Sequence, residues 1–172
     1  MKGNMRKTSI WAVATVLVTV CAAVPAAQRK YGVTVTPEKN VDFGSFHTYE
    51  WRRAQPSSDK TIDAQITSAI DRELLALGMT KAASSPPDVY VAYSSLTRTD
   101  VDLKGKEDEK GLLPQYWVGT LIVAFNEPAT NRRLLRMRVD LPIDIQPGQL
   151  ETAINNAVSV MFAEYPTRRR KN

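Results

Sequence analysis

The segment Leu135–Leu141 alternates strictly between apolar and charged side chains, and this pattern constrains the fold more than any other. A strand with this period has one face packed on a core and the other in water. Such a strand is typical of a sheet that is covered on one side only. The alternating residues are Leu135, Met137, Val139 and Leu141 on one side and Arg136, Arg138 and Asp140 on the other.

Two amphipathic segments can supply the cover for that sheet. The first begins after Asp59, a residue type that caps helix N-termini, and ends at Gly78, where a C-terminal glycine is expected. The second follows Pro147–Gly148 and ends at Tyr165–Pro166. Apolar residues recur in both at the helical spacing of three or four. They are Ile62, Ile66, Ile70, Leu74 and Leu77 in the first and Leu150, Ile154, Ala157 and Met161 in the second.

Four further segments have the apolar pattern of strands. They are Tyr31–Thr36, Phe46–Trp51, Val89–Ser94 and Thr120–Phe125. The resulting order is β-β-α-β-β-β-α, which predicts an α+β fold. We expect a two-layer sandwich with a mostly antiparallel sheet and two helices on one face. Between the third and fourth strands, Thr97–Tyr116 is dense in charge and glycine, and we predict a mobile loop there.

The N-terminal segment has the features of a bacterial secretory signal. Basic residues precede an uncharged run of 18 residues, Ile10–Ala27, and small residues at Val24–Ala26 match a cleavage site. We predict cleavage near Ala27 and a periplasmic mature protein. One alternative is a retained membrane anchor, because 18 residues is near the lower limit for a spanning helix. The other is lipid attachment at Cys21, which is disfavoured because Val20 precedes it.

Charge and cysteine content limit the function classes. The whole chain has 23 basic and 18 acidic residues, a formal net charge of +5, and loss of Lys2, Arg6 and Lys7 would leave a net of +2. The small charge and the lack of a basic stripe interleaved with aromatics argue against a nucleic-acid partner. The mature part would contain no cysteine, which excludes disulfides and thiol nucleophiles. We predict three parts: a signal at 1–26, a single domain at 27–166 and a basic tail at 167–172.

The segment Val41–Trp51 has the sequence Val-Asp-Phe-Gly-Ser-Phe-His-Thr-Tyr-Glu-Trp. It resembles the opening signature of the DUF4136 family, a domain of unknown function in bacterial envelope proteins. Later segments resemble the same family in the same order, over about 31–166. These are Ile70–Leu74 with Gly78, Asp88–Tyr93, Gly119–Val123, and Met161–Phe162 with Tyr165–Pro166. The resemblance implies an envelope protein, commonly attached to a membrane, and it implies no catalytic residues.

This chain departs from the family pattern at two places. Met137 or a neighbour stands where family members usually have a tryptophan, and the residue before Cys21 is not small. The first departure concerns packing, and the second concerns membrane attachment, which we therefore do not favour. Within the opening signature we expect Phe43, Tyr49 and Trp51 to form part of the core.

Residues with catalytic chemistry are sparse. His47 is the single histidine, so a Ser-His-Asp relay or a typical zinc site would need it. It shares a strand face with aromatics, which favours a packed or rim position. An acidic cluster offers oxygen ligands for calcium, but its spacing matches no calcium loop and lysines neutralise it. The cluster consists of Asp100, Asp102, Glu107, Asp108 and Glu109. We therefore predict no catalytic residue, no cofactor and no metal.

Arginines suggest the best candidate for ligand binding. Arg136 and Arg138 project from the wet face of one strand, roughly 7 Å apart, and Arg132 and Arg133 lie beside them. Two guanidinium groups at that distance could hold a phosphate or carboxylate. The alternative, which we favour, is a solvated face with acidic cross-strand partners.

The sequence thus predicts a noncatalytic envelope domain that acts by binding. Its partner would be another envelope protein, or a lipid or cell-wall component. The alternative is an envelope hydrolase whose carboxylates are brought together by the fold, since sequence order does not show which carboxylates meet.

Overall fold

A six-stranded mixed sheet packs against two helices in the computed structural model, which describes residues 32–52, 54–83, 86–142 and 148–168. The predicted signal, Cys21 and residues 169–172 of the predicted tail lie outside the described residues. The strands are β1 (Gly32–Pro37), β2 (Thr48–Trp51), β3 (Thr80–Lys81), β4 (Val89–Val101), β5 (Gln115–Asn126) and β6 (Arg133–Pro142). The helices are α1 (Lys60–Ala76) and α2 (Leu150–Ala163).

The strand order across the sheet is β1-β6-β5-β4-β2-β3. β1, β6, β5 and β4 pair antiparallel, whereas β2 pairs parallel with both β4 and β3. The predicted α+β class and element order are confirmed, with one short strand added. The sequence did not reveal β3 because a strand of two residues is too short to show an alternating pattern. Its pairing with β2 is fixed by a hydrogen bond of 2.9 Å from the backbone N–H of Thr80 to the carbonyl of His47.

The core lies between the sheet and the helices. Leu135, Met137 and Val139 of β6 are fully buried, as their alternation predicts. The neighbouring strand β5 buries Val123 and Phe125 on the same side. The helices close the core with Ile66, Ile70, Leu74, Ile154, Val158, Met161 and Phe162. The opposite face of the sheet is left without a helical cover by the described residues.

The ends of α1 follow the expected chemistry. The Asp59 carboxylate accepts the backbone N–H groups of Thr61 and Ile62, at 2.8 and 3.2 Å, which satisfies two otherwise unpaired donors. Gly78 has φ +84°, a left-handed conformation that a side chain would strain. The chain therefore leaves the helix sharply and enters β3.

The prediction of a mobile loop over Thr97–Tyr116 is wrong in its extent. β4 continues to Val101 and β5 begins at Gln115, and these residues pair in one unbroken antiparallel register. We call residues 97–119 the hairpin arm. Threonine, valine and aromatic residues favour a strand here even without a core beneath it. The loop proper is shorter, and the Asp102 N–H to Pro114 O bond of 2.8 Å closes it.

The Phe43 ring is buried at one end of the core. It makes edge contacts with Phe46 and Tyr165, with centroids 5.9 and 6.0 Å apart. Tyr165 in turn donates its hydroxyl hydrogen bond to the Phe43 carbonyl at 3.3 Å. The start of the family-like signature is therefore fastened to the segment that follows α2.

Asp71 on α1 collects three donors from the β2 side of the sheet. One carboxylate oxygen accepts the Tyr49 hydroxyl at 2.7 Å and the Trp51 indole N–H at 2.9 Å. The other accepts Lys81 Nζ at 2.9 Å. Tyr49 is buried, and Trp51 packs half-buried against the core. One helical carboxylate thus fixes the orientation of both aromatics.

A second carboxylate ties α1 to β4. The Tyr93 hydroxyl donates to Asp63 Oδ1, and the Tyr93 ring meets Trp51 edge-on at 6.2 Å. Burial, followed by the hydrogen bond to Asp63, raises the pKa of Tyr93 to about 12. Burial also raises the pKa of Tyr49 and Tyr165, and the Asp71 hydrogen bond adds to the effect at Tyr49.

We therefore expect the domain to lose stability at alkaline pH. Unfolded tyrosines ionise near pH 10, whereas these three hold their protons to higher pH in the folded state. Their stabilising contribution is complete below about pH 10 and is lost as pH rises through the folded pKa values. Denaturant titrations across this range should show a falling free energy of unfolding. Tyr93→Phe should make the fall shallower, and an identical slope would contradict the assignment.

Candidate functional site

The helix-free face of the sheet contains a groove of about 890 Å³. Its floor is formed by small side chains at the centre of the sheet, chiefly Ala92 and Ser94 of β4 and Ala124 of β5. Longer side chains on the flanking segments form its walls. The hollow therefore arises where short residues on two central strands lie between long residues on either side.

The strand register defines one row across this groove. Ala92 pairs with Ala124, and Ala124 pairs with Arg136. On the other side, the Arg52 N–H donates to Val91 O at 2.8 Å, which continues the β2–β4 pairing by one residue and brings Arg52 beside Ala92. The row is therefore arginine, alanine, alanine, arginine. Both arginines line the groove.

The Arg52 side chain is held against Tyr90. Its guanidinium carbon lies 3.7 Å from the centroid of the Tyr90 ring, a cation–π contact. Its Nε is 4.0 Å from Glu50 Oε1, and both side chains are about half exposed, so this pair adds little. The guanidinium therefore keeps donors available to the groove.

Arg133 and Arg136 form the opposite wall. Arg133 is the β6 residue paired with Asn126, close to the row that ends at Arg136. Neither side chain has an ion pair or a hydrogen bond to any residue in the described ranges. None of the described lining residues carries a carboxylate. Three cationic groups thus face a concave surface with no acidic lining residue.

The predicted pair Arg136 and Arg138 is divided by the structure. Arg138 places Nη2 and Nε 3.0 and 3.2 Å from Asp140 Oδ1, and Arg98 Nη1 lies 3.1 Å from the same oxygen. Thr120 donates to it as well, at 2.5 Å. Burial alone would raise the pKa of Asp140, but these hydrogen bonds outweigh it and lower that pKa. Arg138 thus has an acidic partner on its own strand and not across a strand pair, whereas Arg136 faces the groove.

His47 and the acidic cluster have backbone and turn roles in the structure. The His47 side chain is exposed, and its backbone N–H donates to Asp88 Oδ2 at 2.8 Å. Asp102 and Asp108 accept nearby backbone N–H groups of the loop, including that of Lys104. Across the described ranges, no three histidine, cysteine, aspartate or glutamate side chains are grouped so as to hold a metal ion. Neither described helix is long and apolar enough to cross a membrane.

Sequence reasoning missed Arg52 as a site residue. It follows a strand distant in sequence from β6, and only the parallel β2–β4 pairing places it in the row with Arg136. The signal available in the sequence was the pair of small residues Ala92 and Ala124 on otherwise bulky strands. Two such positions mark a hollow only once the register is known.

The fold and the groove define a class: a two-layer α+β domain with one open, cationic sheet face. The chain belongs to the DUF4136 family, described as a domain of unknown function, whose profile matches residues 33–167. This match confirms the resemblance found in the sequence. Comparison with curated proteins gave no match.

Solved structures of similar fold are distant in sequence. A PDZ domain protein from Parabacteroides distasonis is similar over 80% of this chain, with a TM-score of 0.56 and 14% identity, and this chain spans 36% of that protein. A PelC dodecamer from Paraburkholderia phytofirmans is similar over 82% of this chain and 99% of its own, with a TM-score of 0.54 and 8% identity. At these identities the likeness concerns the fold alone.

Proposed function

We propose that this protein is a noncatalytic binding domain of the bacterial envelope. It holds an anionic ligand in the groove on the helix-free face of the sheet, between Arg52 on one side and Arg133 and Arg136 on the other. The ligand would be a carboxylate- or phosphate-bearing component of the cell wall or its lipids. The observation that carries the proposal is the lining of the groove: Arg52, Arg133 and Arg136 face it, and no described lining residue is acidic. Guanidinium groups are well suited to bind both kinds of oxyanion.

The position of the carboxylates supports binding over hydrolysis. A hydrolase of the alternative kind needs carboxylates free to act as acid, base or nucleophile. Asp71 is engaged by Tyr49, Trp51 and Lys81, and Asp140 by Arg98, Arg138 and Thr120. Both therefore stabilise the fold where they stand.

The proposed location is the periplasm, after cleavage near Ala27. The basic start, the uncharged run Ile10–Ala27 and the small residues before the cleavage site support export. Membership of a family known from envelope proteins is in keeping with this. A retained anchor and a lipidated Cys21 are the competing forms of the same location.

Binding of two defined anions tests the proposal. Purified protein lacking residues 1–26 is titrated with hexagalacturonate, which carries carboxylates, and with inorganic tripolyphosphate. At least one should bind, and the affinity should fall as salt is added, because ionic contacts are screened. Arg133→Ser with Arg136→Ser should weaken binding by about ten-fold or more, the effect of losing charged hydrogen bonds.

Arg132→Ser is the matched control. Arg132 neighbours the groove in sequence but pairs with Glu127 at 3.5 Å and does not line the groove. It should leave binding unchanged, and thermal melting should show that all variants are folded. The absence of binding by both anions at low salt would contradict the proposal, as would an equal loss in Arg132→Ser.

A further inference from the structure

We propose that the groove binds one elongated ligand, a linear acidic glycan, which lies across the strands and contacts Arg52 with one anionic group and Arg136 with another. This inference rests on the proposed function and deepens it by naming the ligand class. A single compact anion, held at one wall, is the alternative that it excludes. The argument depends on the row formed by Arg52, Ala92, Ala124 and Arg136.

The two arginines are separated by the width of the row. From β2 to β6 there are three strand spacings, β2–β4, β4–β5 and β5–β6. At about 4.8 Å each, the two backbones lie roughly 14 Å apart. The cation–π contact holds the Arg52 guanidinium over the ring of Tyr90, a β4 residue two strand spacings from β6. An anion held by Arg52 at this position is about two strand spacings, roughly 10 Å, from the β6 backbone. We therefore expect one small anion to contact one of the two arginines and two linked anionic groups to contact both.

The floor between the walls determines which chemistry suits the part of the ligand that lies between its two anionic groups. Ala92 and Ala124 present methyl groups side by side, flanked by Ile122. Such a floor favours a flat apolar surface, which the C–H face of a sugar ring provides. An extended peptide is less suited, because its backbone N–H and C=O groups need partners that methyl groups lack. The hydroxyls of a glycan lie at the ring edges and stay in water.

The two ends of the groove differ in charge. Arg133 adjoins Arg136 at the β6 wall, while Arg52 alone provides the cation of the β2 wall. Two guanidinium groups can hold one anionic group from two directions. The β6 wall is therefore the stronger anchor, and the β2 wall adds the second contact.

Chain length is the variable that tests this inference. Galacturonate, trigalacturonate and hexagalacturonate are titrated against the protein lacking residues 1–26. A second contact made by a ligand already held is intramolecular, so the oligomers should bind at least about ten-fold more tightly than the single sugar. Arg52→Ser should abolish this advantage of length, so that the oligomers bind about as weakly as galacturonate.

The floor provides a test that changes no charge. Ala124→Leu should also remove the advantage of length, because the added side chain fills the space between the walls. Thr34→Leu places the same side chain on the helix-free face of β1, where the residue is exposed and lies outside the groove, and should have no effect. Should Ala124→Leu fail to fold, Ser94→Leu fills the same floor, and Arg52→Ser tests the length effect independently.

The outcomes separate this inference from the proposed function. Equal binding of galacturonate and its oligomers, with loss in Arg136→Ser, would keep the anion-binding function and overturn the elongated ligand. Tighter binding of tetraglutamate than of trigalacturonate would overturn the glycan assignment. No binding of any of these anions, or of tripolyphosphate, would overturn both.

Discussion

Trp51→Ala should lower the free energy of unfolding by about 3 kcal/mol, the lower end of the range for large aromatics in cores. The Trp51 ring is half-buried, but it makes edge contacts with Tyr49 and Tyr93, at 6.3 and 6.2 Å, and donates its N–H to Asp71. The substitution removes all of these at once. Urea or guanidinium unfolding of the purified domain measures the loss.

Trp117→Ala is the matched control for this prediction. Trp117 lies on the hairpin arm with 60% of its surface exposed, so its truncation should change stability by less than about 0.5 kcal/mol. Comparing the two tryptophans thus shows whether the loss of stability comes from core packing or from removing any tryptophan of this chain. If both variants unfolded at the parent's midpoint, Trp51 would not contribute to the core and would have to be reconsidered as a contact residue.

Asp71→Ala should lower the free energy of unfolding by about 2–3 kcal/mol. The substitution leaves the buried hydroxyl of Tyr49 without an acceptor, and it also removes the acceptor of Trp51 and Lys81. The acceptor lost is shared by Tyr49 and Trp51, while the Lys81 pair is more exposed and contributes less. Asp100→Ala is the surface comparison. Asp100 pairs with the exposed Arg98 and accepts the neighbouring Val101 N–H at 3.2 Å, so its removal should have a small effect.

A double-mutant cycle identifies the network as the cause. Trp51→Phe keeps an aromatic ring but removes the indole N–H that Asp71 accepts. Combined with Asp71→Ala, the two changes should be non-additive by about 0.5 kcal/mol or more, as residues in one hydrogen-bond network are. Strictly additive costs would show that Asp71 stabilises α1 without coupling to Trp51.

Local patterns predicted the parts of the fold that depend on local physics. The alternation in Leu135–Leu141 marked β6, and Asp59 and Gly78 marked the ends of α1, because periodicity, capping and left-handed backbone are properties of short segments. The polar composition of Thr97–Tyr116 predicts a loop, whereas its β-forming residues favour the strands that the structure shows at both ends of this segment. Pairing between two strands satisfies their backbones whether or not a core lies beneath.

The candidate site depended on information that no short segment contains. Arg136 was identified from the wet face of its strand, but its partner across the groove, Arg52, was not. The two meet only through the pairing of β2 with β4, β4 with β5 and β5 with β6. Arg138 shows the converse: its acidic partner Asp140 stands two positions away on the same strand face and was visible in the sequence.

The placement of β1 beside β6 has a consequence for how the chain reaches its native state. Val33 pairs with Val139, so β1 can form its backbone hydrogen bonds in the sheet only when β6 is present. A chain that lengthens from its N-terminus during synthesis therefore has its earliest strand unpaired until β6 is available. The wall that holds Arg133 and Arg136 also needs β6, because both residues belong to that strand. Completion of the sheet and completion of the groove therefore both depend on β6, and a chain synthesised only as far as β5 has neither.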